Sequence, residues 1–334
     1  MKSFFRVLKL SFLLIGGVVG AGFLSGREIL SFFGKGNFFF NAFLSFGVLC
    51  FLFLSAFFLY KKVGDRGVNN AIYSKSKINE YFSFFALTIC LICMLSALNA
   101  LIKTFFGVDS CLFSLVVVFL CFFISKGNIK WIEIVNFILT FLTIILLCVC
   151  LFEKGNFNFE SERKIKVINP VIFSFINFYL CLPIFFKGIK GKNNIEIVIS
   201  IVVASIVLVF MAFLIYGAIN EEKLNLNHLE LPIFAVTKGV FLTLMALSLL
   251  TGILSSTLIT YYSVIKNFSK EHFNIKKIVF SALLVVFSKI SLTSVVNYLY
   301  PIIAGFGVLF LIKTAVFFIK GIKEKRKTNN NIKR

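Results

Sequence analysis

Charged residues are scarce in this chain of 334 residues: they make up 15% of it, against about 25% in an ordinary soluble domain. Histidine occurs twice, and the chain has no Ser-His-Asp set, metal-ligand cluster, phosphate-binding loop or nucleic-acid signature. The sequence therefore predicts neither an enzyme nor a protein that binds nucleic acid.

Hydrophobic residues make up 59% of the chain, and its mean hydropathy is +0.97. No globular core could hide so much apolar sequence, which also excludes a disordered chain, a collagen and a disulfide scaffold. The eight cysteines lie in apolar runs and are interpreted as small hydrophobic residues packed between helices. An all-α polytopic membrane protein is the remaining class.

Ten membrane spans are predicted when charged residues are taken as boundaries, because a membrane helix needs about 20 apolar residues. The first run begins like a signal peptide, but it lacks a small-residue cleavage site and is expected to remain as a helix. The spans are bracketed by residues 9–27, 35–61, 81–102, 109–126, 133–153, 166–187, 196–221 and 238–266, with two more inside 278–319 and a turn near 297–301.

The net charge of +21 is explained by orientation in a membrane. Most Lys and Arg residues outside the spans fall in segments that share the side of the N-terminus, so both termini are predicted to be cytoplasmic. The basic tail after Lys320 is interpreted as a determinant of this topology, with binding of anionic lipid as the alternative.

Five spans precede the mixed-charge segment in the middle of the chain, and five follow it. An odd number of spans per half gives the halves opposite orientations, the inverted-repeat plan of many secondary transporters. The predicted units are residues 1–154 (first repeat), 155–166 (extracellular connector), 167–320 (second repeat) and 321–334 (cytoplasmic tail).

Five glycines fall between residues 16 and 26, in the middle of the first span. They permit either close packing of a continuous helix or local unwinding, since glycine lowers the cost of leaving the helical conformation. The glycine density and the adjacent Arg27-Glu28 pair favour unwinding. Free amides of the second half-helix would then face an anion, and free carbonyls of the first would face a cation.

The segment V-G-A-G-F-L-S-G-R-E-I (residues 19–29), followed by F-F-G-K-G, resembles the opening of the YkvI-like family of bacterial membrane proteins. Residues 94–97, 103–107 and 300–305 agree with it. That family is similar to the amino acid–polyamine–organocation superfamily, which implies a LeuT-like 5+5 inverted repeat with broken helices 1 and 6. The resemblance implies substrate-carboxylate contacts at the amides of Gly20, Ala21 and Gly22, and sodium contacts at the carbonyls of Gly16 and Val19.

Three residues of the eighth span, Gly252, Ser255 and Ser256, share one helix face. One carbonyl and two hydroxyls, added to the two carbonyls of span 1, would give five oxygen ligands for a hard cation. The competing interpretation is that each Ser bonds the carbonyl four residues earlier in its own helix. Span 5 offers Asn136, Thr140 and Thr143 but no basic residue that could replace the ion, which favours sodium.

By symmetry, span 6 is also predicted to be broken, around a polar segment that ends at Pro183. Asn177 is the candidate for substrate contact and Phe178 or Tyr179 for a lid, with interhelical packing as the alternative. Arg27 and Glu28 are candidates for an outer gate, or Glu28 for a proton site; a local ion pair is the alternative.

The sequence thus predicts a secondary transporter in the bacterial cytoplasmic membrane that moves a small organic solute, most simply an amino acid, by alternating access. Sodium is the expected coupling ion, and no other cofactor is expected. The alternatives are a proton-coupled permease and a ligand-sensing receptor subunit like the spore-germination permeases. The predicted partners are the solute and the lipid bilayer.

Overall fold

The structure is a computed structural model that describes residues 2–34, 37–72, 77–108, 111–125, 127, 129–152, 167–221, 226, 229–267, 273–305 and 307–309. The regular elements in these segments are helices, and strands are absent from them. The predicted connector at 155–166 and tail at 321–334 lie outside the described residues.

The described residues contain thirteen α-helices. Those of the predicted first half are α1 (Lys2–Val18), α2 (Ala21–Leu24), α3 (Arg27–Phe32), α4 (Phe38–Ile72), α5 (Lys77–Phe106), α6 (Leu112–Ser125) and α7 (Ile129–Phe152). Those of the second are α8 (Ile168–Gly188), α9 (Asn194–Glu221), α10 (Ile233–Val236), α11 (Val240–Asn267), α12 (Phe273–Phe287) and α13 (Leu292–Ser294). A π-helical turn, Val295–Leu299, continues α13 towards Leu309.

Seven helices in the described part of the chain are long and apolar enough to cross a membrane. This confirms the all-α polytopic class. The predicted fourth and ninth spans contain shorter apolar helices, Leu112–Ser125 and Lys277–Phe287, and the first is divided into α1, α2 and α3. The count of ten spans therefore stays a prediction.

Large apolar side chains cover the outside of the bundle, as hydrocarbon surroundings permit and water does not. Exposed examples are Phe51, Phe58, Phe119, Trp131 and Ile206. Since the backbone groups of these helices are bonded within each helix, the outward faces need no polar solvent.

Helix α1 lies inside the bundle and packs against α7, α8, α9 and α11. Its contact with α8 is close because a glycine on each helix meets a side chain of the other. A Cβ on Gly17 would lie 2.8 Å from Sγ of Cys181, and one on Gly188 would lie 2.8 Å from Cδ2 of Leu13. Such small-residue contacts are a usual way to pack membrane helices.

Charged residues meet at the end of the bundle where α1 begins. Ser3 Oγ donates to Glu196 Oε1 over 2.8 Å, and Arg6 Nη1 lies 3.8 Å from the same oxygen. Lys192, in the loop before α9, lies 3.5 Å from Glu133 Oε1. Burial lowers the pKa of Lys192, and the negative charge of Glu133 opposes that shift. The contacts of Glu196 join the start of α1 to α9, and the Lys192–Glu133 pair joins the loop before α9 to α7.

Candidate functional site

The first helix is interrupted at Val19 and Gly20. Helix α1 ends at Val18, Gly20 is extended with φ −95° and ψ −173°, and α2 begins at Ala21. A second interruption separates α2 from α3, where Gly26 takes the left-handed conformation with φ 81°. The predicted unwinding is confirmed, and the alternative of a continuous helix is wrong.

Side chains from two other helices bond the backbone groups that the interruption frees. Ser256 Oγ of α11 donates to the carbonyl oxygen of Val19 over 2.8 Å. The amide of Ala21 donates to Sδ of Met94, on α5, over 3.1 Å. All four residues are buried. Irregular backbone deep in a membrane protein needs such partners, since lipid supplies none.

The five predicted cation ligands fall into two adjacent groups. Ser256 Oγ lies 2.8 Å from the carbonyl oxygen of Val19 and 2.6 Å from that of Gly252, its own i−4 carbonyl. The bond to the i−4 carbonyl is therefore present, and the same hydroxyl also reaches the interruption, while its role as a cation ligand stays a prediction. Ser255 instead faces α7, where its Oγ donates to Oδ1 of Asn136 over 2.5 Å.

Helix α7 contributes two oxygens to the second group. Thr140 Oγ1 lies 2.9 Å from Ser255 Oγ, and Asn136 Nδ2 donates to the carbonyl of Phe12 over 3.0 Å, so that Oδ1 of Asn136 is directed towards Ser255. A Cβ on Gly16 would lie 2.5–2.7 Å from Asn136 Oδ1, Thr140 Oγ1 and Ser255 Oγ. We name these three side chains, with Gly16, the oxygen cluster.

The oxygen cluster and the Val19–Ser256 contact together offer hydroxyl, amide and carbonyl oxygens, all uncharged. Such a set suits a weakly bound hard cation better than a transition metal. Sequence reasoning did not assign ligand roles to Asn136 and Thr140. Their i, i+4 spacing on an apolar span was the available signal, but it does not say which helix they face.

Glu28 is buried beside the interruption and does not pair with Arg27, so the local ion pair is wrong. Its Oε1 accepts a hydrogen bond from the hydroxyl of Tyr300 over 3.0 Å, and that hydroxyl lies 3.3 Å from Sγ of Cys93. Arg27, also buried, interacts electrostatically with Glu230 instead. The side chains of these two neighbours in sequence thus have different partners.

The predicted substrate-binding residues of the first helix are covered by side chains of the chain itself. Gly20, Ala21 and Gly22 are all buried. A Cβ on Gly22 would lie 2.8 Å from Cγ and Cδ of Glu28, and one on Gly20 would lie 3.0 Å from Sδ of Met94. Glycine is required at both positions for these close approaches.

The predicted break in helix 6 is wrong: α8 is continuous from Ile168 to Gly188 with Pro183 inside it. This segment has no glycine between its ends, and Pro183 removes only one backbone donor. Asn177 Nδ2 donates to the carbonyl of Phe173 in its own helix over 3.0 Å. Phe178 stacks edge-on against Phe53, with ring centroids 5.3 Å apart, and Tyr179 is buried nearby.

The short helix α10 packs over the turn between α2 and α3. The amide of Ile233 donates to the carbonyl of Ser25 over 3.0 Å, and Phe234 packs against Phe105, with ring centroids 5.4 Å apart. A cavity of about 470 Å³ lies between α10 and the end of α5, with Lys103 and Glu230 in its lining. Sequence reasoning did not find this cavity, because it depends on how a loop returns to the bundle.

Fold and site together define an all-α polytopic membrane protein with a first helix interrupted at a buried polar centre. A scan of protein-family models gives no match to this chain, and a search of curated proteins gives none either.

Proposed function

We propose that this protein is a secondary transporter that moves a small organic solute across the bacterial cytoplasmic membrane by alternating access. The observation that carries the proposal is the interruption at Val19–Gly20, whose freed groups meet side chains of α5 and α11. Interrupted helices of this kind form the binding sites of transporters with inverted repeats. The LeuT-like 5+5 repeat, with both termini inside, belongs to this proposal and is supported by the span order and the Lys and Arg distribution.

The proposed solute is an amino acid. Its carboxylate would bind the amides of Gly20, Ala21 and Gly22, as the resemblance of the first span to the YkvI-like family implies. A further support is the partner that Ala21 has now: a thioether sulfur is a weak acceptor, and a carboxylate oxygen is a stronger one. Asn177, Phe178 and Tyr179 stay in the proposal as contacts for the solute side chain, on a continuous helix.

Sodium is the proposed coupling ion. The proposed ligands are the carbonyls of Gly16, Val19 and Gly252 and the hydroxyls of Ser255 and Ser256. The structure adds Asn136 and Thr140 to this neighbourhood. Residues 134–152 of α7 include no Lys or Arg that could replace the ion.

Uptake by purified protein in liposomes tests the proposal. With sodium outside and potassium inside, we expect labelled amino acids to accumulate, and the accumulation to collapse when the sodium gradient is removed. Thr140→Val should reduce uptake at least tenfold at low sodium, while Thr143→Val, one turn away and bonded to Thr251 over 2.8 Å, should keep most of it. Binding without uptake would contradict transport and indicate a ligand-sensing receptor subunit.

Proton coupling is the second candidate because a carboxyl group, that of Glu28, is buried next to the interruption. A buried carboxyl group without a cation is more stable when it holds a proton. Uptake that follows a pH gradient and is indifferent to sodium would favour this candidate over sodium coupling.

A further inference from the structure

Glu28 is a buried acid whose charge no described residue balances. Its side chain is 2% exposed, and no ion pair to it occurs in the described ranges. The titratable groups that face it are the hydroxyl of Tyr300 and the thiols of Cys93 and Cys90, none of them cationic. A buried carboxylate that lacks a cation is costly, so such residues are usually kept for a function.

The carboxyl group of Glu28 lies at the interruption and not at a distant packing contact. Its Cγ and Cδ would each be 2.8 Å from a Cβ on Gly22, so the side chain passes directly over the backbone of α2. Tyr300, its hydrogen-bond donor, follows the π-helical turn at Val295–Leu299. Single π-helical turns are frequent at functional sites.

We propose that Glu28 accepts the ammonium group of the transported solute, so that the solute itself supplies the missing cation. This inference rests on the proposed transport function and requires a solute that carries an ammonium group, which is an amino acid or an amine. Plain carboxylates are excluded, since they would meet a like charge. Ionised Glu28, a zwitterionic amino acid and one sodium ion add to zero net charge, which suits a centre shielded from water.

Three compounds that share a 3-methylbutyl group test the inference: L-leucine, 3-methylbutylamine, which lacks the carboxylate, and 4-methylpentanoate, which lacks the ammonium group. Leucine suits the apolar neighbours of the interruption, which include Val19, Phe23 and Met94. Each compound is titrated against the detergent-purified protein in sodium, and the apparent melting temperature is recorded, because a ligand of the folded state raises it. We expect shifts with leucine and the amine, and none with 4-methylpentanoate.

Glu28→Gln is the decisive variant. The amide keeps the size of the side chain and an oxygen that Tyr300 can bond, but it has no charge for an ammonium group. We expect the apparent affinity for leucine to fall at least tenfold and the shift with the amine to disappear. Glu28→Asp keeps the charge on a shorter side chain and should bind leucine with intermediate affinity, which keeps the test valid if the Gln variant folds poorly.

Tyr300→Phe is the matched control, since it removes the Glu28–Tyr300 hydrogen bond and keeps the carboxylate. It should retain the preference for the two nitrogen compounds. Equal losses in Tyr300→Phe and Glu28→Gln would assign Glu28 a packing role and overturn the inference. So would a wild-type shift with 4-methylpentanoate as large as that with leucine, or no shift with any of the three. Sodium-driven uptake of amino acids is measured separately, so these results leave the transport function standing if uptake is present.

Discussion

Two helices that the inverted repeat would make equivalent differ in this protein: the first is interrupted, and α8 is continuous. The first has glycines at positions 16, 17, 20, 22 and 26, whereas α8 has Pro183 and no glycine before its last residue. Around Val19–Gly20, α5 and α11 supply a sulfur and a hydroxyl to the free backbone groups. In α8, the side chain of Asn177 donates to a carbonyl of its own helix, and Ser174 Oγ lies within hydrogen-bond distance of the carbonyls of Pro170, in α8, and Ser45, in α4.

The difference indicates that a membrane helix is interrupted where two conditions are met together. The backbone must leave the helical conformation cheaply, which glycine allows, and nearby side chains must bond the groups that are freed. Proline alone meets neither condition, since it removes one donor while its φ remains helical. The polar centre of this protein therefore lies at the first helix and not at α8.

The largest effect is expected when a methyl group is added at the oxygen cluster. Gly16→Ala would place its Cβ 2.5–2.7 Å from three oxygens, so overpacking should destabilise the protein by about 3 kcal/mol. Gly47→Ala is the control, because a Cβ there would meet nothing within 4 Å beyond the adjacent backbone of its own helix, and it should stabilise α4 by about 0.5–1 kcal/mol. Melting temperatures in detergent check both; equal effects would contradict the close approach of α1 to α7.

A smaller loss of stability is expected when the hydroxyl that bonds the freed carbonyl of Val19 is removed. Ser256→Ala removes the donor to Val19 and leaves a buried carbonyl unpaired, at a cost of about 1–2 kcal/mol. Ser263→Ala, on the same helix, removes only a bond to Ile259 within α11 and should change the melting temperature much less. A loss as large for Ser263 as for Ser256 would argue against a special role for the Val19 contact.

A smaller loss of stability is expected when the acceptor of the Ala21 amide, on the other side of the interruption, is removed. Met94→Leu keeps the volume but removes the sulfur that accepts from Ala21, and about 1 kcal/mol of stability should be lost. Met245→Leu is a buried control on α11. If both variants have the same melting temperature, the sulfur of Met94 contributes packing and no hydrogen bond.

The smallest change in stability is expected for a substitution in α8. Pro183→Ala gives the helix a donor for the carbonyl of Tyr179 without a change of path, so stability should rise by about 0.5 kcal/mol. Amide hydrogen exchange near Pro183 should slow at the same time. Destabilisation of the size expected for Ser256→Ala would mean that α8 depends on Pro183, and the contrast between the two helices would weaken.

The class of fold and the interruption of the first helix could be predicted because both depend on local composition: long apolar runs and clustered glycines. The continuity of α8 could not be predicted, since the expected symmetry of the halves rests on the number of spans and takes no account of glycine content. The i, i+3, i+4 spacing placed Ser255 and Ser256 on one face, but the rotation of α11 against α1 and α7 decides which hydroxyl meets which helix. The Glu28–Tyr300 contact joins residues 272 positions apart, a separation that no local pattern reports.

Sodium titration of the melting temperature tests the central claim, that the oxygens around the interruption form a cation site. The account predicts a saturable rise with sodium and none with potassium, and it predicts that Thr140→Val and Ser255→Ala abolish the rise while Thr143→Val keeps it. A melting temperature that responds equally to sodium and potassium, or a rise that survives in Ser255→Ala and Thr140→Val, would contradict it.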